Sequence, residues 1–382
     1  MNNQRIMAVH LLNDFSGSPF VLRQSLEELV KAKYEVRLFT ATPGDKGFLS
    51  NIAGVQTNAI FYRWSKNRWL TLCLFLYSQF SLFIQFLFRL RKSDIVYINS
   101  ILPFGAALAA KFRGCKVLYH IHEVSVKPAM LKRFLLFIAN HTASRGVFVS
   151  NDVLQRTLFK KEATVVYNSL PAAFIQEAMQ QPDKKEGPFS VLMLCSLKKY
   201  KGIMEFLGCA KQLPAFRFML VLNATDTAIK QFFAGEQLPD NLGLFPAQKN
   251  VHPFYRQADV VMNLSLPDQW IETFGMTILE AMYYKKPAII PVTGGITELV
   301  TDEKEGFRVN PRDIHEICDL LQMMASCPSA YRRLSVNAGK KAQSFTPRVF
   351  AEGIIQSVQM LERGPEQFFN NQLSLFESVK KK

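Results

Sequence analysis

The sequence predicts an α/β protein with two doubly wound parallel sheets. Three observations predict this fold class. Short apolar, β-branched runs alternate with helix-like segments, the 382 residues exceed the roughly 250 to 300 at which single cores stop growing, and a polar stretch interrupts the alternation near mid-chain. Parallel strands with crossover helices bind ligands beyond their carboxyl ends. We therefore expect ligand groups at these ends in both domains, around a cleft.

Nine apolar runs are predicted to be buried strands. Five of them precede the polar stretch: Ile6–Leu11, Tyr34–Thr40, Asp94–Ile98, Lys116–Ile121 and Gly146–Val149. Four follow it: Phe189–Leu194, Phe216–Leu222, Ala258–Met262 and Ala288–Pro291. The polar stretch, Gln180–Pro188, is predicted to be a linker. We place the first domain at residues 1–180 and the second at 181–345, with a C-terminal helix at about 346–382 that packs back onto the first.

Charge is distributed unevenly along the chain. Apolar residues make up 48% and charged residues 20% of the chain, which excludes a disordered protein. Of the net charge of +15, residues 1–165 carry +13 (22 Lys and Arg against 9 Asp and Glu) and the remainder +2. A basic first half indicates an anionic partner, either nucleic acid or an acidic membrane leaflet. Excess surface lysine on a soluble domain is the alternative.

The cysteines and the N-terminal residues bear on the compartment. The six cysteines include no CxxC pair, which excludes a zinc ribbon and gives no disulfide framework. The first fifteen residues lack the basic and apolar regions of a secretory signal. We therefore expect a protein of the reducing cytoplasm.

A 20-residue run without charge, Trp69–Phe88, is long enough to span a bilayer. A span would separate strands that must pair in one sheet, so we predict that the helix does not cross the membrane. A thin polar stripe follows the helix at Thr71, Ser78, Ser81 and Gln85. Two placements remain open, a buried crossover helix and a helix partly inserted in the headgroup region with the help of its basic flanks.

The segment Trp270–Ile290 carries the strongest chemical signal. Glu272 and Glu280 have seven residues between them, and Gly275 precedes a helical pattern whose first amides would form an anion site. Eight residues of helix rise about 12 Å, comparable to the reach from a hexose through a diphosphate to a ribose. Each carboxylate suits a pair of neighbouring hydroxyls. Two ordinary helix glutamates would explain the spacing, but not the Phe-Gly insert or the strand that follows.

This segment resembles the Glu-x7-Glu element of retaining glycosyltransferase family 4. The resemblance continues in EAM at Glu280–Met282 and in TGGITEL at Thr293–Leu299. It implies the GT-B fold, in which an acceptor domain and then a donor domain, both Rossmann-like, face a central cleft. It also implies that Glu280 binds the ribose of a nucleotide sugar. Glu272 and the amides around Phe274, Gly275 and Met276 would hold the donor sugar and the diphosphate.

Lys201 and Gly202, in CSLKKYKG, match the family's Lys-Gly at the first turn of the donor domain. There the ammonium would neutralise the departing diphosphate, which makes Lys201 the predicted electrostatic catalyst. A surface lysine is the alternative reading. The family's arginine five residues earlier is Ser196 here, so its phosphate contact is either absent or supplied by Lys198 or Lys199.

Two positions of the first half also match the family. His120 and His122 end a strand and point to the same side, and the family has a histidine near the donor sugar at the His122 position. A structural strand-end histidine is the alternative. Gly17, in NDFSGSP, matches the glycine-rich loop that faces the diphosphate. Too few ligands accompany the two histidines and Glu123 for a zinc site.

The sequence thus predicts a retaining glycosyltransferase with catalytic residues His122, Lys201 and Glu272. It would use a nucleotide diphosphate sugar without a metal or other cofactor. The acceptor expected is a lipid-linked glycan of bacterial cell-surface polysaccharide synthesis, reached from the cytoplasmic face of an anionic membrane. Alternatives are a non-catalytic nucleotide-sugar-binding protein and a nucleic-acid-binding protein, the latter supported by charge alone. A GT-B epimerase or phosphorylase would need residues that we do not find.

Overall fold

The computed structural model describes residues 4–41, 47–63, 65–180 and 187–363. The chain divides into two compact units, the first ending at Tyr167 and resuming at Arg348, the second comprising Asn168–Pro347. The helix Ala172–Met179, before the predicted boundary at residue 180, belongs to the second unit. Its Phe174 ring lies 4.4 Å from the ring of His252, centroid to centroid. Most of the predicted linker, residues 181–186, lies outside the described residues.

The described residues form thirteen strands and thirteen α-helices. The strands are β1 (Arg5–Leu12), β2 (Glu35–Ala41), β3 (Val55–Ala59), β4 (Ile95–Asn99), β5 (Lys116–Ile121), β6 (Arg145–Phe148), β7 (Ala163–Val165), β8 (Ser190–Ser196), β9 (Arg217–Asn223), β10 (Leu242–Phe245), β11 (Val260–Met262), β12 (Ala288–Pro291) and β13 (Gly306–Val309). The helices are α1 (Gly17–Lys31), α2 (Arg68–Arg89), α3 (Phe104–Phe112), α4 (Ala129–Thr142), α5 (Asn151–Thr157), α6 (Ala172–Met179), α7 (Ile203–Gln212), α8 (Asp226–Phe232), α9 (His252–Gln257), α10 (Met276–Tyr283), α11 (Ile314–Ser326), α12 (Pro328–Ala342) and α13 (Pro347–Arg363).

Each unit is built on one parallel sheet. The first has the strand order β3-β2-β1-β4-β5-β6-β7 and the second β10-β9-β8-β11-β12-β13. The predicted α/β fold class, with two doubly wound sheets, is therefore confirmed. All nine predicted strands are present, with ends displaced by at most two residues.

The four strands that the sequence did not reveal, β3, β7, β10 and β13, occupy the four edges of the two sheets. An edge strand has one paired neighbour and is only half covered, so it needs no continuous apolar run. All four residues of β10 are partly exposed, as are most of those of β3.

Apolar side chains cover both faces of the first sheet. On one face, Val96, Val117 and Phe148 pack with α2, α3 and α4. On the other, Ile6, Leu118 and Val147 pack with Phe350, Ile354 and Val358 of α13. The chain thus returns to its first unit through α13, and residues 364–382 of the expected C-terminal segment lie outside the described residues. The six cysteines are free thiols.

Helix α2 lies on the surface of the first unit. It begins where Asn67 Oδ1 accepts a hydrogen bond from the amide of Trp69, 2.9 Å away. By length and composition alone it could cross a membrane, but β1 and β4, which precede and follow it in the chain, pair directly. Only 28% of its most apolar window is buried, so it is not the fully buried crossover helix that one reading of the sequence allowed.

Two polar residues of α2 face the protein, and many of its large apolar residues face outward. Ser78 and Gln79 are buried, and Gln79 Oε1 accepts a hydrogen bond from the amide of Gly105 at 3.1 Å. Trp69 and Phe88 are 78% and 82% exposed. Gly105 allows α2 and α3 to approach closely, because a Cβ on it would lie 2.0 Å from the carbonyl oxygen of Gln79.

Candidate functional site

Most of the predicted site residues lie where the strand order of a sheet reverses. In the second unit this point lies between β8 and β11, and Lys201 and Glu272 follow these two strands. In the first unit it lies between β1 and β4, and Gly17 follows β1. Open α/β sheets bind ligands at such points, because neighbouring loops diverge to opposite faces and leave a crevice.

Lys201 forms an ion pair with Glu272 through its Nζ and the carboxylate Oε1. Lys201 ends a short 3₁₀ turn, Lys199–Lys201, and Gly202 follows it at φ +77°. A Cβ on Gly202 would lie 2.2 Å from the carbonyl oxygen of Leu264, so only glycine permits this close turn. The side chains of Lys201 and Glu272 are 15% and 14% exposed, whereas Lys198 and Lys199 are exposed to solvent.

Other side chains fix this ion pair. Ser265 donates a hydrogen bond from its hydroxyl to Glu272 Oε1 at 2.7 Å. Burial opposes ionisation of Glu272, but the Lys201 charge and the hydrogen bonds outweigh it and hold the Glu272 pKa below its ordinary value. The Lys201 ammonium also lies 5.0 Å from the ring centre of Trp270, which stacks on Tyr200. Both charges are therefore held in place on a rigid support.

Helix α10 begins after Gly275, which has a φ of +101°. A Cβ there would lie 2.6 Å from Ile296 Cγ1, so the turn requires glycine. Met276 is the first helical residue, and the first amides of a helix have no acceptor within it, an arrangement that suits an anion. The Phe274 side chain is buried, which leaves its backbone as the part suited to ligand contact.

The predicted helical distance between the two glutamates is wrong. Glu272 lies in the loop before α10, and only Glu280 lies within the helix, in its second turn. The rise of about 12 Å expected from eight helical residues therefore does not apply. The loop, rather than a continuous helix, carries Glu272 toward Lys201.

Glu280 is bonded to Tyr255, which sequence reasoning did not find. The Tyr255 hydroxyl donates to Glu280 Oε2 and lies 3.2 Å from the carbonyl oxygen of Thr277. Burial raises the Glu280 pKa to about 7, against a smaller lowering by the Tyr255 hydrogen bond. Glu280 is therefore a carboxyl group that titrates near neutral pH.

His122 belongs to a buried polar network in the first unit. Its Nε2 lies 2.8 Å from Asn99 Oδ1, and Asn99 Nδ2 lies 3.0 Å from both His10 Nδ1 and the Ser18 hydroxyl. The rings of His120 and His122 are 4.2 Å apart, as their alternation along the chain predicts. Burial, followed by the neighbouring histidines, holds the His122 pKa well below its ordinary value. His122 is therefore a neutral imidazole.

Gly17 is the first residue of α1, and a Cβ added to it would meet no atom within 4 Å. A cavity of about 180 Å³ lies beside this helix end and is lined by His10, Ser18 and Glu123 among others. The structure thus places Gly17 and the His122 network at the carboxyl ends of β1, β4 and β5, in one region of the first unit.

Three further site residues come from the structure. Asn99 is hydrogen-bonded to His122, Tyr255 to Glu280, and Ser265 to Glu272. Asn99 directly follows a predicted strand, so its sequence position could have indicated a site residue. The sequence around Tyr255 gives no such indication. Among the described residues, no group of three or more His, Cys, Asp and Glu side chains is arranged to hold a metal ion.

Two family models match consecutive parts of the chain. Residues 15–172 match the model for Glycosyltransferase Family 4, and residues 174–341 match the model for Glycosyl transferases group 1. A sucrose synthase from Denitrovibrio acetiphilus is 26% identical over 187 residues, which are 44% of this chain and 24% of that protein. The chain therefore spans about a quarter of the length of this curated relative.

Solved structures agree with the fold. The structure of Anabaena Alr3699/HepE in complex with UDP and glucose superposes with a TM-score of 0.73 at 18% identity, covering 93% of this chain and 99% of that one. A glycosyltransferase from Rickettsia africae gives a TM-score of 0.76 at 18% identity, covering 95% and 100%. Together the two matched segments and the two Rossmann-like units place the chain in glycosyltransferase family 4, the glycosyl transferases group 1, with the GT-B fold.

Proposed function

We propose that this protein is a retaining glycosyltransferase that moves a sugar from a nucleotide diphosphate sugar to a hydroxyl of a lipid-linked glycan. The observation that carries the proposal is the Lys201–Glu272 ion pair at the strand reversal of the second sheet, next to the N-terminus of α10. A fixed cation and free helix amides there suit a diphosphate.

The donor's nucleotide is assigned to α10. Its first amides would bind the diphosphate, and Glu280 would accept hydrogen bonds from the two ribose hydroxyls. An ionised carboxylate accepts such bonds better than a protonated one. Because the Glu280 pKa is about 7, ribose binding and loss of the carboxyl proton favour each other.

Departure of the diphosphate is assigned to Lys201. Negative charge grows on the leaving oxygen as the bond to the sugar carbon breaks, and a cation already held in place stabilises that charge without reorganisation. Glu272 would hold Lys201 in position and accept a hydrogen bond from a hydroxyl of the donor sugar. In a retaining transfer the acceptor hydroxyl approaches the face from which the diphosphate leaves, and it gives its proton to the departing phosphate oxygen.

His122 is assigned to support of the positive charge that develops on the sugar. This role needs an imidazole that is neutral, since a cation there would oppose that charge. The depressed His122 pKa and its hydrogen bond to Asn99 support the assignment.

The outer face of the first unit supports an acceptor in a membrane. Trp69, Phe80 and Phe88 of α2 are exposed, as are Met130 and Phe137 of α4. Basic residues flank this apolar face, a combination that favours shallow insertion into an anionic leaflet. We accordingly propose peripheral attachment at the cytoplasmic face of the membrane and synthesis of a bacterial cell-surface polysaccharide, with no role for nucleic acid.

A binding and transfer experiment tests the proposal. Thermal shift with UDP, GDP and ADP would identify the nucleotide, because a ligand of the folded state raises the apparent stability. Release of that nucleotide from its sugar conjugates, in the presence of membrane lipid extract, would then measure transfer. NMR of the product would give the anomeric configuration. Nucleotide binding without any turnover of donor would instead indicate a non-catalytic nucleotide-sugar-binding protein.

A further inference from the structure

A large cavity lies in the first unit beside the start of α2. Its volume is about 1250 Å³, more than the roughly 300 to 1,000 Å³ of sites for drug-sized ligands. Trp69, Leu72 and Phe75 from α2 and Leu131 from α4 form its apolar walls. A cavity of this size and lining suits a long hydrocarbon chain.

Its charged lining residues are all basic. Lys66, Arg68 and Lys127 line the cavity, and the described residues around it include no carboxylate. The same bias extends along the chain, since residues 46–151 contain fourteen Lys and Arg but only Asp94 and Glu123 as acids. Asp94 is buried in an ion pair with Arg5, and Glu123 lines the 180 Å³ cavity rather than this one, so neither acid lies beside these cations in the described lining. An apolar cavity with unneutralised cations suits an anionic amphiphile.

The large cavity adjoins the polar region around His122. Tyr62 and Leu102 line both the large cavity and the 180 Å³ cavity that contains His10 and Glu123. A ligand whose chain fills the large cavity would therefore direct the group beyond its anionic head toward the ends of β1, β4 and β5. This is the order of parts in a lipid diphosphate that carries a sugar.

The outer rim of the cavity is the apolar face already described. Trp69 lines the cavity and is 78% exposed, and Met130, next to the lining residue Ala129, is 81% exposed. These exposed apolar side chains would contact the chain of a bound lipid where it leaves the cavity.

We propose that this cavity binds the diphosphate and the first isoprenoid units of a polyprenyl-diphosphate-linked acceptor. Lys66, Arg68 and Lys127 bind the diphosphate, and Leu72, Phe75 and Leu131 contact the chain. The inference rests on the proposed lipid-linked acceptor, and it adds the site and the part of the acceptor that the site binds.

Farnesyl diphosphate is the probe that tests the site, measured by calorimetry with UDP and GDP at saturating concentration so that the donor site is filled. We expect Lys66→Ala/Lys127→Ala and Ala129→Trp each to weaken its binding by about tenfold or more, the first by loss of charge and the second by filling the cavity. The matched controls are Lys92→Ala, which removes an exposed cation beyond the other end of α2, and Ala234→Trp, at an exposed alanine of the second unit. Each should change binding by less than about twofold.

Three further ligands test whether binding requires both the isoprenoid chain and the diphosphate. Farnesol and inorganic diphosphate should each bind more weakly than farnesyl diphosphate, and anionic vesicles free of polyprenol should not compete for the site. Equal binding of farnesol, effective competition by plain vesicles, or unchanged affinity in both site variants would overturn the proposal. Nucleotide binding and donor turnover, measured in the same variants, report separately on the proposed function. If the unsubstituted protein bound farnesyl diphosphate but neither bound a nucleotide nor turned over a donor, the transferase role would be refuted and the lipid site would stand.

Discussion

Lys201 and Glu272 are 71 residues apart in the sequence, yet their side chains form an ion pair that is about 85% shielded from solvent. Glu272 has a second hydrogen bond, from Ser265, and Lys201 lies over the ring of Trp270. Because both charges are already fixed, a diphosphate that arrives beside them meets a preorganised cation.

Lys201→Ala should lower turnover by about a hundredfold or more, because it removes the charge that stabilises the departing diphosphate. Steady-state nucleotide release measures the effect, and circular dichroism checks that the variant is folded. Lys198→Ala, at an exposed lysine of the same loop, should retain near-normal turnover. The opposite result, with Lys198→Ala impaired and Lys201→Ala normal, would transfer the role to Lys198.

Glu280→Gln should weaken binding of the nucleotide diphosphate by about 1.5 to 3 kcal/mol, because an amide accepts weaker hydrogen bonds from ribose than a carboxylate does. Calorimetry with UDP and GDP gives this value. Glu236→Gln, at an exposed site of the same unit, is the control. Unchanged affinity in Glu280→Gln would remove this residue from the nucleotide site.

Nucleotide binding should tighten as the pH rises from about 6 to about 8, because the Glu280 pKa is about 7 and ribose selects the ionised form. The stability of the unliganded protein should change in the opposite direction. The Glu280 pKa is higher in the folded protein than in the unfolded chain, so proton binding to Glu280 favours the folded state. This contribution to stability is complete below pH 4.5, the ordinary pKa of a glutamate, and is lost as the pH rises through about 7.

Two variants check the assignment of this titration. Glu280→Gln should abolish the pH dependence of binding. Tyr255→Phe should move its midpoint to higher pH, because the Tyr255 hydrogen bond lowers the Glu280 pKa. Calorimetric titrations at several pH values decide the matter, and an unaltered midpoint in both variants would assign the titration to another group.

Asn99→Ala should lower the free energy of unfolding of the first unit by about 1 to 3 kcal/mol, because Asn99 is fully buried and hydrogen-bonded to His10, Ser18 and His122. Turnover should also fall, since His122 loses the bond that orients it. Urea titration and nucleotide release measure the two effects. Gln56→Ala, at an exposed position of the same sheet, should leave both unchanged.

Anionic vesicles should bind the protein, and binding should decrease as salt screens the basic surface but leave a salt-resistant part from apolar insertion. Flotation with anionic and neutral vesicles measures this. Phe80→Ser/Phe137→Ser should remove most of the salt-resistant part, and Val336→Ser, at an exposed apolar position of the second unit, should not. Resistance to alkaline carbonate would mean that α2 spans the bilayer, and no binding at all would direct the search to soluble acceptors.

The sequence by itself determined the fold class, the nine central strands and the local motifs. Buried strands need continuous apolar runs, and the turn glycines beside Lys201 and before α10 are visible in any reading of the chain. The Glu-x7-Glu pattern singled out Glu272, and the resemblance to glycosyltransferase family 4 singled out Lys201 and His122 as further candidates.

Only the tertiary structure decided which side chains meet. It selected Lys201 over Lys198 and Lys199 as the partner of Glu272, and it brought Tyr255 to Glu280 across 25 residues.

The tertiary structure also decided how α2 is oriented, with Ser78 and Gln79 toward the protein and Trp69 and Phe88 outside. Composition cannot settle these choices, since an apolar helix has favourable contacts on any side and its orientation depends on the close approach of α3 at Gly105.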